Sequence, residues 1–208
     1  MKGVINIMNF NFGNQNPQTG SAPILNLQKN QVLDLTKHAP ALHKAIFAGG
    51  WDAAAYGASA DLDIAAFMLN EQGRITGAED VVYFNHKIAD GIQLEKDNLT
   101  GEGEGDDERI DVDLDKIPPR IHKIVFAIVI FDANVKRQSF GMIKNAFIRL
   151  LDAEDNEREV CHMDITNNYS AETAVLACAL ERTNDGWAIE NIEEGLIGDL
   201  NTIAAKYM

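Results

Sequence analysis

The sequence is short of positive charge and of long apolar runs, and each shortage excludes a class of protein. Its 208 residues carry 18 Lys and Arg against 32 Asp and Glu, a formal net charge of −14. Binding to nucleic-acid phosphates requires clustered basic residues, so nucleic acid is not an expected partner, and an anionic membrane surface is disfavoured. The longest apolar run, residues 124–131, is far below the roughly 20 residues that span a bilayer, so direct membrane insertion is not expected.

Cysteine is also scarce. Two cysteines, Cys161 and Cys178, cannot build the disulfide framework of a small secreted protein. Cys178 lies in an apolar run that is typical of a buried thiol. The N-terminal residues contain no apolar stretch of the signal-peptide kind. Together these features predict a cytoplasmic protein in a reducing compartment.

The composition predicts one globular domain with a tail. Hydrophobic residues make up 46% of the chain, which is enough for a single core at this length. Residues 1–22 are rich in Asn, Gln, Gly, Ser and Thr, and predict a flexible polar tail ahead of a domain over residues 23–208. Many short β-branched or aromatic runs follow, separated by turn residues. This pattern favours a mainly β fold, a β-sandwich of two antiparallel sheets with short helices.

Periodicity indicates individual elements within the domain. Apolar residues alternate with aspartates over 110–115, as in a strand with one wet face, whereas the continuous apolar run 124–131 predicts a strand covered on both faces. A short helix is predicted over 139–145, and an amphipathic helix at the C-terminus with Asp199 as its N-cap. Residues 171–182 fit a strand or a helix equally well.

Most of the negative charge is concentrated in one segment. The 26 residues from Asp90 to Asp115 hold eleven acidic residues and two basic ones, a net charge of −9. Three glycines alternate within residues 101–105 and make backbone carbonyls accessible beside the carboxylates. Calcium takes roughly six to eight oxygen ligands of these kinds, so the segment fits a calcium site. A solvated acidic loop without metal explains the composition equally well.

A second acidic pair precedes a buried strand. Asp61 and Asp63 are two residues apart, so both side chains point to the same side of a strand. A solvent-facing strand edge is the simpler interpretation of this pair alone. The acidic segment in the same chain makes it a candidate second contributor to a metal site. Asn85, which follows the strand predicted over 81–84, offers either an amide oxygen or a turn.

The acidic residues match no common motif. An EF-hand register starting at Asp97 fails because positions 3, 5 and 6 are Leu99, Gly101 and Glu102. The glycine-rich run is too acidic to hold a pyrophosphate. The five histidines have no zinc-like spacing with the cysteines. No nucleophile motif of the G-x-S-x-G kind is present, so the sequence does not predict an enzyme.

In their order, these residues resemble the TerD family of bacterial tellurium-resistance and stress-response proteins. The matching elements are Gly49-Gly50-Trp51-Asp52, Asp61-Leu62-Asp63, Tyr83-Phe84-Asn85, the run from Asp97 to Glu108, and Phe140-Gly141 with Asn145-Ala146. The resemblance covers about residue 24 to the C-terminus. It implies a β-sandwich whose acidic loops bind calcium, without an established catalytic activity. It also implies complexes with protein partners of a tellurium-resistance system at the inner face of the membrane.

The resemblance also implies a set of calcium ligands in this sequence. They are Asp61, Asp63, Asn85, Asp97, Asn98, Gly103 through its carbonyl, Asp106, Asp107 and Glu108. We expect two calcium ions, which join the acidic segment to the strand of Asp61 and Asp63 and order a docking surface. The chain departs from the family pattern at His86, where a second Asn is usual, and at Leu94-Glu95-Lys96.

Two other functions fit the same carboxylates. A metal-dependent phosphoester hydrolase would use them to hold two metal ions and activate water. That enzyme also needs a basic group for the substrate phosphate, and the sequence suggests none near the acidic segment. A metal-free scaffold would use the acidic face to bind a basic partner, and salt would weaken that binding. Of the three, the sequence favours the calcium-binding protein.

Overall fold

The computed structural model describes residues 24–52, 60–96, 105–165 and 169–208, and in them thirteen strands form two packed sheets. With strands numbered along the chain, sheet A has the order β1 (Leu25–Asn26), β11 (Arg158–Asp164), β10 (Lys144–Asp152), β3 (Lys44–Asp52), β8 (Glu108–Asp113), β7 (Ile92–Lys96) and β6 (Ile88–Ala89). Sheet B has the order β2 (Val32–Asp34), β13 (Trp187–Leu196), β12 (Ala174–Arg182), β9 (Lys123–Ile130), β4 (Leu62–Leu69) and β5 (Val81–Val82).

The predicted β-sandwich is confirmed. Neighbouring described strands are antiparallel, except that β1 pairs parallel with β11. The main core lies between the sheets, where Phe47 of β3 stacks on Phe126 of β9 with ring centroids 3.6 Å apart. The alternation predicted over 110–115 is present in β8, whose apolar residues face this core up to the end of the strand at Asp113. The predicted tail, residues 1–22, lies outside the described residues.

Sheet B is covered on its outer face as well. The outward residues of β4 and β9 form a second apolar cluster with Ile203 of the C-terminal helix α3 (Leu200–Lys206). The prediction of a strand covered on both faces is therefore confirmed for residues 124–130, whereas Phe131 follows the strand and is exposed. Asp199 caps α3 as predicted, since its carboxylate accepts a hydrogen bond from the Thr202 amide at 2.9 Å.

Two local expectations are settled differently by the structure. The helix predicted over 139–145 is only a 3₁₀ turn, Phe140–Met142, because β10 begins at Lys144 and pairs with β3. The ambiguous segment 171–182 contains strand β12.

The remaining helical elements are short. Helices α1 (Leu35–His38) and α2 (Ala133–Lys136) lie in loops, as does a second 3₁₀ turn, Ala78–Asp80. Among the described residues, no helix has the length and apolar character needed to cross a membrane.

Candidate metal centre

One end of the sandwich, which we call the acidic end, is where β3 and β9 finish and β4 and β8 begin. The antiparallel registers place Gly49 opposite Glu108 and Leu62 opposite Ile130 there. Six of the nine expected ligands lie in the described parts of the chain. The remaining three, Asp97, Asn98 and Gly103, lie outside the described residues.

Glycine at the end of β3 allows the acidic segment to approach closely. A Cβ atom on Gly50 would lie 2.9 Å from the carbonyl oxygen of Gly105 and 2.6 Å from the ring of Phe147. Gly105 itself has a φ of +96°, a left-handed conformation that glycine adopts without steric cost. A side chain at position 50 would therefore displace the turn that carries the acids.

Asp107 is held against the end of β3 by two hydrogen bonds. Its amide donates to the carbonyl of Gly49 at 2.8 Å, and its Oδ2 accepts from the amide of Trp51 at 3.0 Å. The indole of Trp51 in turn donates to the carbonyl of Ala60 at 3.3 Å, just ahead of β4. Asp107 is only 4% exposed. Its carboxylate is thus fixed at the junction between β3 and the approach to β4.

Glu108 faces the core and reaches the opposite sheet. It is 1% exposed and lies on the same face of β8 as Ile110. Its Oε2 accepts a hydrogen bond from the amide of Ile64 on β4 at 2.5 Å. Burial of a carboxylate is costly without such partners. The acidic segment is therefore connected to the strand that carries Asp63 by a hydrogen bond within the protein.

Asp61 and Asp63 point outward from sheet B. Leu62 and Ile64 belong to the core between the sheets, so Asp63 alternates to the opposite face of β4. Asp61 precedes β4 by one residue, and its carbonyl accepts a hydrogen bond from the amide of Phe131. Asp63 is 5% exposed. Lys136 places its Nζ 3.7 Å from Oδ2 of Asp61, whose side chain is 15% exposed. The two carboxylates form a pair on the outer face of sheet B.

Asp106 lies on the other side of the molecule. Its Oδ1 and Oδ2 accept hydrogen bonds from Nε and Nη2 of Arg149 at 2.8 and 3.0 Å. Arg149 points outward from sheet A, because its neighbours Ile148 and Leu150 face the core. The structure therefore does not bring Asp106 together with Asp61 and Asp63.

Arg149 was not among the residues expected at this end. The expectation that no basic group lies near the acidic segment is wrong, since Arg149 pairs with Asp106 and Lys136 approaches Asp61. The sequence does contain a single cation inside the apolar run 147–151, but the run does not predict which acidic residue pairs with it.

Asn85 lies in an exposed turn after β5. The strand predicted over 81–84 ends at Val82, because Tyr83 and His86 pair with each other across the turn. The amide of Tyr83 donates to the carbonyl of His86 at 3.0 Å, and the reverse hydrogen bond measures 2.9 Å. The departure from the family pattern at His86 therefore falls in the turn that presents Asn85.

Aromatic contacts place this turn at the acidic end. Phe84 packs edge-on against Phe131, with ring centroids 5.5 Å apart, and the amide of Phe131 donates to the carbonyl of Asp61 at 2.8 Å. Lys136 lies 5.1 Å above the same ring of Phe131. The turn and Asp61 thus both contact Phe131.

The donor chemistry at this end fits calcium, but the described residues do not complete a site. All six described candidates offer oxygen, the donor that calcium takes. Within the described ranges, no group of three or more His, Cys, Asp or Glu side chains is arranged to hold a metal ion. The carboxylates instead lie at separate positions, with Asp61 and Asp63 on the outer side of sheet B, Glu108 between the sheets, Asp107 at the end of β3, and Asp106 beside Arg149 outside sheet A.

Comparisons with known proteins agree with the fold. The TerD domain family matches residues 24–207. The chain is 40% identical over 186 residues to Tellurium resistance protein TerD of Alcaligenes sp, covering 88% of this chain and 96% of that protein. It is also 40% identical over 187 residues to General stress protein 16U of Bacillus subtilis, with the same shares covered.

A solved structure has the same architecture. The crystal structure of a homologue of telluride resistance protein (TerD) from Streptomyces coelicolor A3(2) superposes with a TM-score of 0.66 at 22% identity. The match covers 78% of this chain and 95% of that one, and it supports the fold alone. The names of the two sequence relatives describe a resistance protein and a stress protein, not enzymes. The family match and the two relatives together show that this chain belongs to the TerD family.

Proposed function

We propose that this chain is a non-catalytic, calcium-binding stress-response protein of the tellurium-resistance type. Calcium orders the acidic end into a surface that docks a protein partner. Family membership supports the stress-response role, because relatives across most of the chain are named for tellurium resistance and general stress. The calcium role rests on one observation, the burial of several carboxylates at one end of the sandwich.

Buried carboxylates favour a bound cation for an energetic reason. Asp63, Asp107 and Glu108 are almost fully buried, and the side chain of Asp61 is largely so. Removing a carboxylate from water is costly unless hydrogen bonds and opposite charge compensate. The amides of Trp51 and Ile64 supply hydrogen bonds but no net charge. Each carboxylate has about four lone-pair sites, so a carboxylate that accepts hydrogen bonds can bind a cation as well.

We assign the expected ligands to two ions. Asp61 and Asp63, with Asn85 in the neighbouring turn, would hold one ion on the outer side of sheet B. Asp107 and Glu108 would hold the other, together with Asp97, Asn98 and the carbonyl of Gly103. Calcium would supply positive charge at both positions, and the surrounding strands would hold the carboxylates in place.

A calorimetric titration tests this proposal. Protein stripped with a chelator is titrated with calcium and, as a control, with magnesium, which demands near-ideal octahedral geometry and loses its water reluctantly. We expect saturable heats for calcium with two ions per chain, and much weaker heats for magnesium. Absence of calcium heats at millimolar concentration would contradict the proposal.

The basic side chains beside the carboxylates of the acidic end give little support to the alternative function, a phosphoester hydrolase. Two basic side chains do lie beside them, but Arg149 is paired with Asp106 and Lys136 approaches Asp61. A phosphoester substrate needs a cation that is available to its phosphate. Turnover of a model phosphodiester with magnesium or manganese, lost in a D61N/D63N variant, would favour the hydrolase over the binding protein.

The docking part of the proposal concerns where a partner binds. We place the contact at the acidic end, with the protein in the cytoplasm and meeting the inner membrane only through its partner. Partner binding is then expected to require calcium and to disappear in chelator. Binding that persists in chelator and weakens with added salt would favour the metal-free acidic scaffold instead.

A further inference from the structure

Arg149 makes contacts at Asp106 that a metal ion would otherwise make. Its Nε and Nη2 bind both oxygens of the Asp106 carboxylate, and its Nη1 donates to Oε2 of Glu159 at 3.1 Å. The Asp106 side chain is 7% exposed in this arrangement. Two-pronged guanidinium–carboxylate pairs of this kind are among the strongest ion pairs in proteins. An arginine guanidinium is charged at any pH at which the protein is folded, so the pair always carries opposite charges when Asp106 is ionised.

The ion pair between Arg149 and Asp106 lies apart from Asp61 and Asp63. Arg149 lies opposite Ala48 on β3 and His162 on β11, on the outer face of sheet A. Asp61 and Asp63 lie on the outer face of sheet B, and packed sheets are about 10 Å apart. Calcium binds oxygen at roughly 2.3–2.6 Å, so carboxylates that share an ion must lie within about 5 Å of one another. Asp106 is therefore too far away to share an ion with that pair.

We propose that Asp106 is paired with Arg149 in both the calcium-free and the calcium-bound protein and is not a calcium ligand. The pair instead positions the turn at residues 105–107, ahead of β8. The guanidinium of Arg149 then supplies positive charge to this turn on the side away from Asp61 and Asp63. The proposal rests on the proposed calcium role for its functional meaning, and it replaces the ligand role that the family resemblance implies for Asp106.

The pair acts on the neighbouring residue. Asp106 and Asp107 are consecutive, so fixing Asp106 on sheet A also fixes the backbone from which Asp107 reaches the amide of Trp51. The ion pair and that hydrogen bond anchor the turn at two successive residues. Arg149 is accordingly a positioning residue for the carboxylate of Asp107.

A double-mutant cycle without calcium tests the pair itself. Thermal unfolding is measured in chelator for D106N, R149M and the double variant. We expect each single change to lower the Tm by several degrees, and the second change to add little once the first is made. A matched cycle on Arg109 of β8 and Glu157, which pair at 2.7 Å, should show a much smaller coupling, because the Glu157 side chain is 52% exposed and that of Asp106 only 7%. Additive effects of D106N and R149M would overturn the proposal.

Calcium affinity distinguishes a positioning role from a ligand role. If Asp106 only positions the turn, D106N and R149M both break the same pair, and both weaken calcium binding by a similar factor. If Asp106 is a ligand, D106N weakens binding whereas R149M frees the carboxylate and strengthens binding. E157Q removes one negative charge, as D106N does, and R109M removes one positive charge, as R149M does. Their calcium affinities therefore measure the effect of net charge alone, which is subtracted from the effects of D106N and R149M.

Failure of the two proposals can be told apart. Opposite shifts of calcium affinity in D106N and R149M, after correction, would overturn the positioning role while leaving calcium binding intact. If the unaltered protein takes up no calcium, the proposed function fails, and the cycle in chelator alone decides whether Arg149 holds Asp106.

Discussion

Glu108 shows how a single buried side chain ties the acidic segment to the rest of the fold. It extends from sheet A and accepts a hydrogen bond from the amide of Ile64 in sheet B. That amide lies at the start of β4, next to Asp63. The carboxylate therefore connects the two sheets at the acidic end by a hydrogen bond.

This contact predicts a difference between two substitutions at the same position. Glu108→Gln keeps an oxygen that can accept from Ile64, whereas Glu108→Ala leaves the buried amide without its acceptor. We expect E108A to be less stable than E108Q by about 1–3 kcal/mol. Urea unfolding in chelator measures the difference, and equal stability of the two variants would show that the hydrogen bond contributes little.

Gly50 gives a second prediction at the residue scale. A Cβ there would meet the Phe147 ring and the Gly105 carbonyl well inside contact distance, so we expect G50A to lose about 1–3 kcal/mol. Gly77 is the control, since the three atoms nearest to a Cβ there all belong to the carboxyl group at the end of the exposed Glu79 side chain, which can move aside. Chemical unfolding of both variants checks this, and an equal loss from G77A would contradict the packing argument.

What the sequence could predict at the residue scale depended on local spacing. The prediction that Asp61 and Asp63 share one side of a strand rests on their spacing, whereas in the structure only Asp63 lies within β4. Spacing does not say whether that face is the inner or the outer face of a sheet. The separation of Asp106 from this pair, and its partner Arg149, depend on contacts between distant strands and were not predictable.

The C-terminal helix is the element whose sequence and structure agree most fully. Apolar residues at helical spacing cover the outer face of sheet B, and Asp199 caps the first turn by accepting from the Thr202 amide. The helix predicted over 139–145 lacked such a tertiary role. Residues 140–142 form a 3₁₀ turn, and Lys144 begins β10, where pairing with β3 takes precedence over local helix propensity.

The cap of α3 predicts a pH-dependent stability difference. Hydrogen bonding to the Thr202 amide lowers the pKa of Asp199 below its ordinary value of 3.8. The lowered pKa means that the cap stabilises the fold above pH 3.8, and that this contribution is lost as the pH falls toward the lowered pKa. We expect D199A to lose about 0.5–2 kcal/mol at pH 7, and the gap to narrow on acidification.

An isosteric variant serves as the control for this prediction. D199N keeps an uncharged capping oxygen, so its advantage over D199A should persist at acidic pH. Stability of the three proteins is compared by denaturant unfolding across the pH range. A gap between the unaltered protein and D199A that stays constant on acidification would contradict the role of the charged cap.

At the scale of the whole molecule, the two sheets determine where the acidic side chains of the acidic end lie. The sequence shows that most of the net charge falls in one segment, and alternation predicts which residues face a core. It does not predict strand order, because a period of two specifies faces and not partners. In the structure, the candidate carboxylates of the acidic end are divided, with Asp63 on the outer face of sheet B, Glu108 between the sheets and Asp106 beside Arg149 outside sheet A.

This division predicts that the two proposed calcium ions can be removed separately. In D61N/D63N, the outer pair on sheet B loses its charge while Asp107 and Glu108 are unchanged. We expect calorimetry to show the loss of one ion per chain, with the second still bound. Loss of all calcium binding in this variant would indicate one shared site in place of two.

The most direct test of the calcium role is thermal unfolding of chelator-stripped protein with and without calcium. A ligand that binds only the folded state at a hundred times its Kd stabilises it by about 2.7 kcal/mol. For a domain of this size that corresponds to a Tm increase of roughly 5–10 °C. We predict such an increase with calcium, reversed by chelator and much smaller with magnesium. The same Tm in calcium and in chelator would contradict the claim that the acidic end is a calcium site.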